Sequence, residues 1–459
     1  MFGGVGKSAG WATILVAGGF VLGASVSAKA ADLGGDCCAD LEERVAELEA
    51  TTAKKGNRKV KLTVYGQVNE AVMFWDDGYE ENAYIVTNDA SRTRFGFKGG
   101  AKINDDWSAN FKIEIGVRTA SSKRTNQDDD EAADDSGFDV RHAWWNLSSK
   151  TYGTIQVGHT PTASEEATES NLAGTSSVGK YADVEDSGLG MRLRSTTDPS
   201  LSGVQWRRLI RHTGDQPGEG ERRQAVWYIS PEFSGFHASA AWGSDDSWDV
   251  GATYEGKLSG FEIEGRIAYA ENTRDSDDSA FFGCIADDVQ GPGDADCQQF
   301  GGSISVMHEA SGLYGNFAAG WAKDNTVLLS PIFAGKGADD TSTFWAVEAG
   351  IQQKWFDAGK TTLFGQYYQM EGGANERQAV GAGDAINPVG FGAAHIFSSE
   401  LDMWGLGVAQ DLSKSMLLYA LFRHYEADVV LTQNAGAGIT ESNPLEDLDI
   451  LMTGAIIKF

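Results

Sequence analysis

From Val60 to the terminal Phe459, apolar residues alternate with polar or small ones. The clearest run is WSANFKIEIGVR, in which Trp107, Ala109, Phe111, Ile113, Ile115 and Val117 are apolar. Between them stand Ser108, Asn110, Lys112, Glu114, Gly116 and Arg118. A period of two turns one face of a strand to an apolar surrounding and the other to water. The same alternation appears in FEIEGRIAYA and in SWDVGATYEGKL. It predicts sixteen strands, near 60–73, 91–102, 107–118, 139–148, 153–159, 221–230, 235–243, 247–258, 261–270, 300–309, 312–322, 343–355, 360–370, 399–411, 415–427 and 449–459. Short connections near 104, 149, 232, 259, 311, 358 and 413 alternate with longer ones rich in Asp, Gly and Ser, at 74–90, 119–138, 160–220, 271–299, 323–342, 371–398 and 428–448. The connection at 244–246 is short although it belongs to the long set. A soluble sandwich would show this alternation locally. Loop asymmetry and an even strand number point instead to an all-β, closed antiparallel transmembrane barrel, which leaves no unpaired edge in the bilayer.

The N-terminus has other periods. Lys7 is the only charge before the apolar run Trp11–Val26, and Ala28-Lys29-Ala30 comes next. That is the layout of a secretory leader cut before Ala31. A spanning helix fits less well, because the run is short and rich in Gly and Ala. Cys38, Leu41, Val45 and Leu48 then fall at a-d-a-d spacing. Two heptads do not hold an isolated coil. The segment is read either as a coil supported by a trimeric barrel or as a monomeric helical stub. The predicted organisation is therefore a leader at 1–30, a periplasmic helical or coiled-coil segment at 31–59 and a barrel at 60–459.

Composition narrows the class further. Mean hydropathy is −0.31, and no later segment has the ~20 apolar residues of a spanning helix. Only 8 Pro stand against 57 Gly, with no linker-like break, so one long β architecture is expected. Losing the two lysines of residues 1–30 takes the net charge from −29 to −31. Export places the four cysteines in an oxidising compartment. Cys284 and Cys297 flank a polar stretch and are expected to close it by a disulfide; the adjacent Cys37 and Cys38 are left as interchain links or free thiols. Aromatic residues gather at strand ends: Trp75, Trp107, Trp144, Trp145, Trp242, Trp248, Trp355, Phe356, Tyr367, Tyr368 and Tyr425 suit interfacial girdles. Enzyme readings are weak. GGVGKS lacks the first glycine of a phosphate loop and lies in the leader, and the seven His show no paired metal spacing. No metal, cofactor or catalytic residue is expected.

Several segments carry a family likeness. LTVYGQVNEAVMF resembles the first strand of the general diffusion porins of Gram-negative bacteria, and SRTRFGFKGG the second. VRHAWWNL with YGTIQVGHT resembles the fourth and fifth, and QAVWYISPEFSGFHASAAW the sixth and seventh. GAIIKF ends in Phe459, like the terminal aromatic read by the barrel-assembly machinery. The ordered series covers Val60–Phe459, and CCADLEERVAELEA makes the chain look most like the alphaproteobacterial, rhizobial-type members. The resemblance implies a sixteen-stranded homotrimer whose third loop folds into the pore. Here the third loop, 160–220, is longer than usual.

A channel of this kind needs placed charges. Arg92, Arg94 and Lys98 share a strand face opposite Phe95 and Phe97. Arg141 is out of phase with Val140, His142 and Trp144, and Arg223 with Val226 and Tyr228. By resemblance Arg94 and Arg141 match the arginine cluster of the pore wall, with Arg223 a looser match. Glu165, Glu166 and Glu169 open the third loop and are expected either to form the acidic side of the constriction or to be solvated loop residues. The run QDDDEAADD at 127–135 reads as a solvated loop or as a bridge to divalent ions and lipopolysaccharide. The expected function is passive diffusion of small hydrophilic solutes and ions across the cell outer membrane, among lipid and lipopolysaccharide, without a nucleic-acid partner. The alternatives are a substrate-selective channel and a structural protein tethering the envelope through its N-terminal coil.

Overall fold

The computed structural model describes residues 60–132, 137–210, 216–243, 247–273, 296–389, 392–433 and 438–459. The expected leader, the coil segment with Cys37 and Cys38, and Cys284 lie outside the described residues, as does part of the 127–135 acidic run.

Sixteen antiparallel strands form the wall: β1 (Lys61–Asp76), β2 (Arg94–Lys102), β3 (Trp107–Val117), β4 (Phe138–Ser149), β5 (Gly153–Thr160), β6 (Arg223–Ile229), β7 (Phe236–Gly243), β8 (Ser247–Leu258), β9 (Phe261–Asn272), β10 (Cys297–His308), β11 (Leu313–Asp324), β12 (Thr341–Phe356), β13 (Gly359–Gly372), β14 (Ala394–Ser413), β15 (Met416–Gln433) and β16 (Leu448–Lys458). Each strand overlaps one expected from the alternation. Three short loop strands, Glu81–Thr87, Asn375–Val380 and Ile439–Glu441, lengthen the sheet beyond that expectation. Neighbouring strands are joined at one end by tight turns. Leu258 pairs with Phe261 across Ser259 (φ 51°) and Gly260 (φ 85°). Positive φ at both central residues is the turn whose twist suits a two-residue hairpin.

The last strand closes on the first. β16 pairs with β15 on one side and with β1 on the other, from Gln67↔Lys458 to Asp76↔Asp449. Phe459 continues this ladder through reciprocal bonds with Gly66, each 3.0 Å. Closure satisfies the edges that lipid would leave bare. Val64, Val68, Phe95, Phe97, Ile113, Leu406 and Ile457 stand exposed on the outer face, as the alternation requires.

The interior has two sectors. Around β2–β9 it is polar and charged. Around β11–β16 and β1 it is apolar, with Phe344, Tyr368, Met370, Met403, Leu421, Tyr425, Ile450, Met452 and Met73 all buried. The partner of this apolar sector is the long third connection, 161–222, termed loop 3. Its Tyr181, Leu189, Met191, Leu193, Trp206 and Leu209 join the same buried cluster, and Trp206 lies 6.4 Å from Tyr425, ring to ring. Each such side chain removed from water is worth ~1.5–3 kcal/mol, so the extra loop length acts as an apolar plug along one wall. This corrects part of the girdle expectation: Trp75, Tyr368 and Tyr425 point inward and pack the plug. Loop 3 also carries a hairpin, Arg192–Arg194 with Leu201–Gln205. It reaches the barrel end that bears the long loops. There Thr196 N–H donates to Pro444 O (2.9 Å), and Arg194 pairs with Asp77 (2.9 Å).

Candidate functional site

The polar sector encloses a cavity of about 790 Å³ between the barrel wall and loop 3. On the wall side, period two brings Arg94 of β2 and both Lys112 and Glu114 of β3 onto the inner face. β4 adds Arg141 by a bulge: Glu114 pairs with His142 and Ile115 with Val140, which leaves Arg141 without a cross-strand partner. Such an extra residue re-aims the side chains around it. Glu114 is the hub. It accepts from Tyr65 Oη (2.8 Å) and Arg141 Nε (2.8 Å), with Lys112 Nζ at 3.3 Å and Arg94 Nε at 4.0 Å. Three fixed cations therefore share one carboxylate. Arg92, just before β2, pairs separately with Asp139 (2.9 Å).

The bulge also corrects the expected phase of β4. His142 and Trp144 turn inward, and the Trp144 indole N–H donates to His142 Nδ1 (3.4 Å). Trp145 is the exposed outer ring. A strict alternation carries no sign of an inserted residue, so the alternation alone did not mark His142.

Loop 3 supplies the opposite side. Glu165 pairs with Arg222 (2.5 Å), Glu166 with Arg266 of β9 (3.4 Å), and Glu169 with Lys180 (2.7 Å). Lys180 also binds Asp183 (2.9 Å) and lies 3.6 Å from Asp186, so one ammonium gathers three loop carboxylates. Burial pushes the Glu165 carboxyl up to about 7; Arg222 opposes the rise, and Glu166 adds to it. All three predicted loop glutamates line the cavity, as do Arg92, Arg94 and Arg141.

Arg223 does not line it. Its phase is inward, but it is fully buried and pairs with Asp249 (3.4 Å). Asp249 in turn accepts from the Ser164 backbone N–H (3.0 Å), so the start of loop 3 roofs the arginine. The cavity cation at this height is its neighbour Arg222. Lys112 and Glu114 were legible as polar positions of their strand, but nothing in the alternation marked them above Ser108 or Asn110.

The other predicted positions lie elsewhere. Cys297 opens β10 and is disulfide-bonded. Two groups among the described residues have metal-ligating atoms within 4.8 Å of one another: His424, Glu426 and Asp447 outside the lumen wall, and Asp183, Glu185 and Asp186 in loop 3. Lys123 and Lys180 pair with the second group.

This combination of a closed sixteen-stranded barrel, an infolded third loop and a charged interior matches a known sequence family. Residues 12–429 match the family described as Gram-negative porin. The chain belongs to the Gram-negative porin family. Two solved structures share the fold. An anion-selective porin of Comamonas acidovorans superposes with a TM-score of 0.51 at 14% identity, covering 87% of this chain and 100% of that one. OprB of Pseudomonas putida gives 0.51 at 11% identity, covering 89% of this chain and 96% of that one. OmpF of Salmonella typhi, in complex with daunomycin, gives 0.47 at 16% identity, covering 88% and 99%. No curated protein matches the sequence. The porin assignment makes this chain a channel of the Gram-negative outer membrane, and the charged cavity between wall and loop 3 is its candidate constriction.

Proposed function

We propose that this porin is a general, weakly selective diffusion channel for small hydrophilic solutes and ions, that it works as a homotrimer and that it performs no bond chemistry. The observation that carries this reading is that Arg94, Arg141 and Lys112 on the wall and Glu165, Glu166 and Glu169 of loop 3 line the same cavity. Fixed opposite charges across a narrow water path set up a transverse field, and the low-dielectric wall focuses it. A polar solute is oriented by that field and still faces no closed binding pocket. The resemblance to rhizobial-type members rests on CCADLEERVAELEA, and contact with lipopolysaccharide on the 127–135 acidic run. A second reading, a channel selective for small anions, is favoured by the local excess of three cations over the single carboxylate of Glu114. Tethering through the N-terminal coil concerns residues outside the described ones.

Planar-bilayer recording of the purified porin separates these readings. Permeation that falls smoothly with solute size is the expected result; saturable block by one solute would select the second reading. Replacing Arg94 and Arg141 together by Ser tests the constriction. A unit charge 4–8 Å from a passing ion in a water-like medium is worth ~0.5–1 kcal/mol. The zero-current potential in a KCl gradient should therefore move toward cations by about two- to six-fold in permeability ratio per charge. The shift should fade at high salt, where screening is complete within a few ångströms. An unchanged potential at low salt would remove these arginines from the constriction.

A further inference from the structure

Among the buried polar side chains in the apolar sector of the lumen, three on different strands bond in series. Glu348 lies on β12, Gln366 on β13 and Arg423 on β15, and all three are buried. They form a relay. Gln366 Nε2 donates to Glu348 Oε2 (2.7 Å), and Gln366 Oε1 accepts from Arg423 Nη2 (2.9 Å). The amide thus bridges a carboxylate and a guanidinium through its two ends. Its orientation is fixed, because a flipped amide would oppose like partners.

Most remaining bonds of the relay go to loop 3. Arg423 Nη2 donates to Lys180 O (2.6 Å) and Nη1 to Val184 O (3.4 Å). Gln366 Nε2 also donates to Gly179 O (2.9 Å). Glu348 Oε1 accepts from Thr175 Oγ1 (2.6 Å) and Asn171 Nδ2 (3.4 Å), and from Asn316 of the wall (3.1 Å). Gly179 lets the backbone come this close: a Cβ there would run into Leu421 and meet Arg423 Nη2 at 3.1 Å.

We infer that Glu348, Gln366 and Arg423 are positioning residues that lock loop 3 segment 171–184 onto the wall and thereby set the acidic side of the constriction. Lys180 makes the connection. Its carbonyl is held by Arg423, while its ammonium gathers Glu169, Asp183 and Asp186. Moving its backbone moves three carboxylates at the cavity. Apolar packing alone fixes the plug against the wall without specifying its register along it. Directional bonds to three carbonyl positions, Gly179, Lys180 and Val184, supply that register.

The inference rests on the constriction reading for its effect on permeation, though not for the lock itself. Two measurements on the full-length porin keep these apart. Hydrogen exchange of segment 178–187 in the folded barrel should rise at least tenfold in Arg423→Gln and in Gly179→Val. The first variant replaces the charged guanidinium fork by a shorter neutral amide that cannot span the Lys180 and Val184 carbonyls, and the second blocks the approach with every polar group retained. Arg423→Lys should recover part of the protection, since one ammonium can still reach one carbonyl. Retention of the heat-modifiable folded band shows that the barrel itself is intact. Unchanged exchange in both variants would overturn the lock. Single-channel recording of the same variants should show higher conductance, more open-channel noise and a zero-current potential displaced from wild type, partly restored by Arg423→Lys. Faster exchange with an unaltered potential would leave the lock standing and reject loop 3 as the acidic side of the constriction.

Discussion

In the proposed constriction, Glu165 is the side chain whose charge depends on pH near neutrality. Burial is the main force raising its carboxyl to about 7; Glu166 and Glu169 repel its charged form, while Arg222 and Arg141 favour it. At pH 8 the group is mostly charged and neutralises Arg222; at pH 6 it is mostly protonated and that arginine is left in excess. Falling pH thus removes one negative charge from the cavity and should shift permeability toward anions by roughly two-fold, by the same Coulomb estimate as for the wall arginines. The zero-current potential measured between pH 8 and pH 6 should show this step, and Glu165→Gln should lack it while resembling the low-pH wild type. A step of equal size in the variant would assign the titration elsewhere. Single residues were legible in the sequence only as far as phase carries. Arg94 was readable because β2 is regular. His142 was not, because one inserted residue at Arg141 reverses the face of the residues beyond it, and β-bulges have no compositional mark. Arg223 had the right phase and the wrong surroundings, since no local pattern tells that Ser164 will cover Asp249 and the arginine beside it.

At the scale of elements, strands were the easiest feature to read, because lipid and water impose period two on each of them separately. The loops were harder. The strand Glu81–Thr87 and the hairpin of loop 3 depend on tertiary pairing with β1 and with the last loop, which local sequence does not encode. The plug, in contrast, did leave a trace. In β16 both faces are apolar: Ile450, Met452 and Ile456 are buried inside while Leu451, Ala455 and Ile457 face out. A barrel strand with a water-filled lumen has no reason for this, so two-sided apolarity in the last strands signals that something fills that half of the pore. The C-terminal element also carries an assembly argument. The Phe459 ring covers Gly66 on the outer face, and a Cβ on Gly66 would collide with that ring and with Arg94 O. Deleting Phe459 removes both bonds that end the closing ladder and should impair insertion while leaving export intact. Gly66→Val should keep the bonds, displace the ring and cost ~1–3 kcal/mol by overpacking. Urea titration of the porin folded in lipid vesicles measures the second effect, and the outer-membrane yield of the deletion measures the first; normal yield would show that the terminal ring is dispensable.

For the whole molecule, the outer surface is where an assembly would be written. A lone barrel should present only apolar side chains at the centre of its lipid belt, since a charge there is costly. β1 breaks this rule. Val64, Val68 and the neighbouring Val72 share the outward phase with Glu70, which lies in the middle of the strand. Its carboxylate accepts from Thr93 Oγ1 (2.7 Å) and from Thr87 Oγ1 (3.1 Å). Beside it Ile85, on the short strand paired to β1, is among the most exposed apolar residues of the chain. A hydrogen-bonded carboxylate next to a protruding isoleucine is poorly placed against acyl chains and well placed between subunits, where a partner covers both. On this reading β1 lies in the trimer interface, beside the seam where β1 meets β16. Glu70→Leu then affects the oligomer in one setting and not in the other. Facing lipid, the change removes a desolvated charge and leaves any oligomer untouched. Thr87 and Thr93 lose an acceptor in either setting, at ~1–3 kcal/mol each; only between subunits does the change also misfit a neighbouring chain and weaken the oligomer. The expected outcome is that Glu70→Leu barrels fold and conduct as single pores but run as monomers, or dissociate at lower temperature than wild type, when sized in detergent by sedimentation. A variant that keeps its oligomer with wild-type heat resistance would place β1 against lipid and move the interface to another part of the wall.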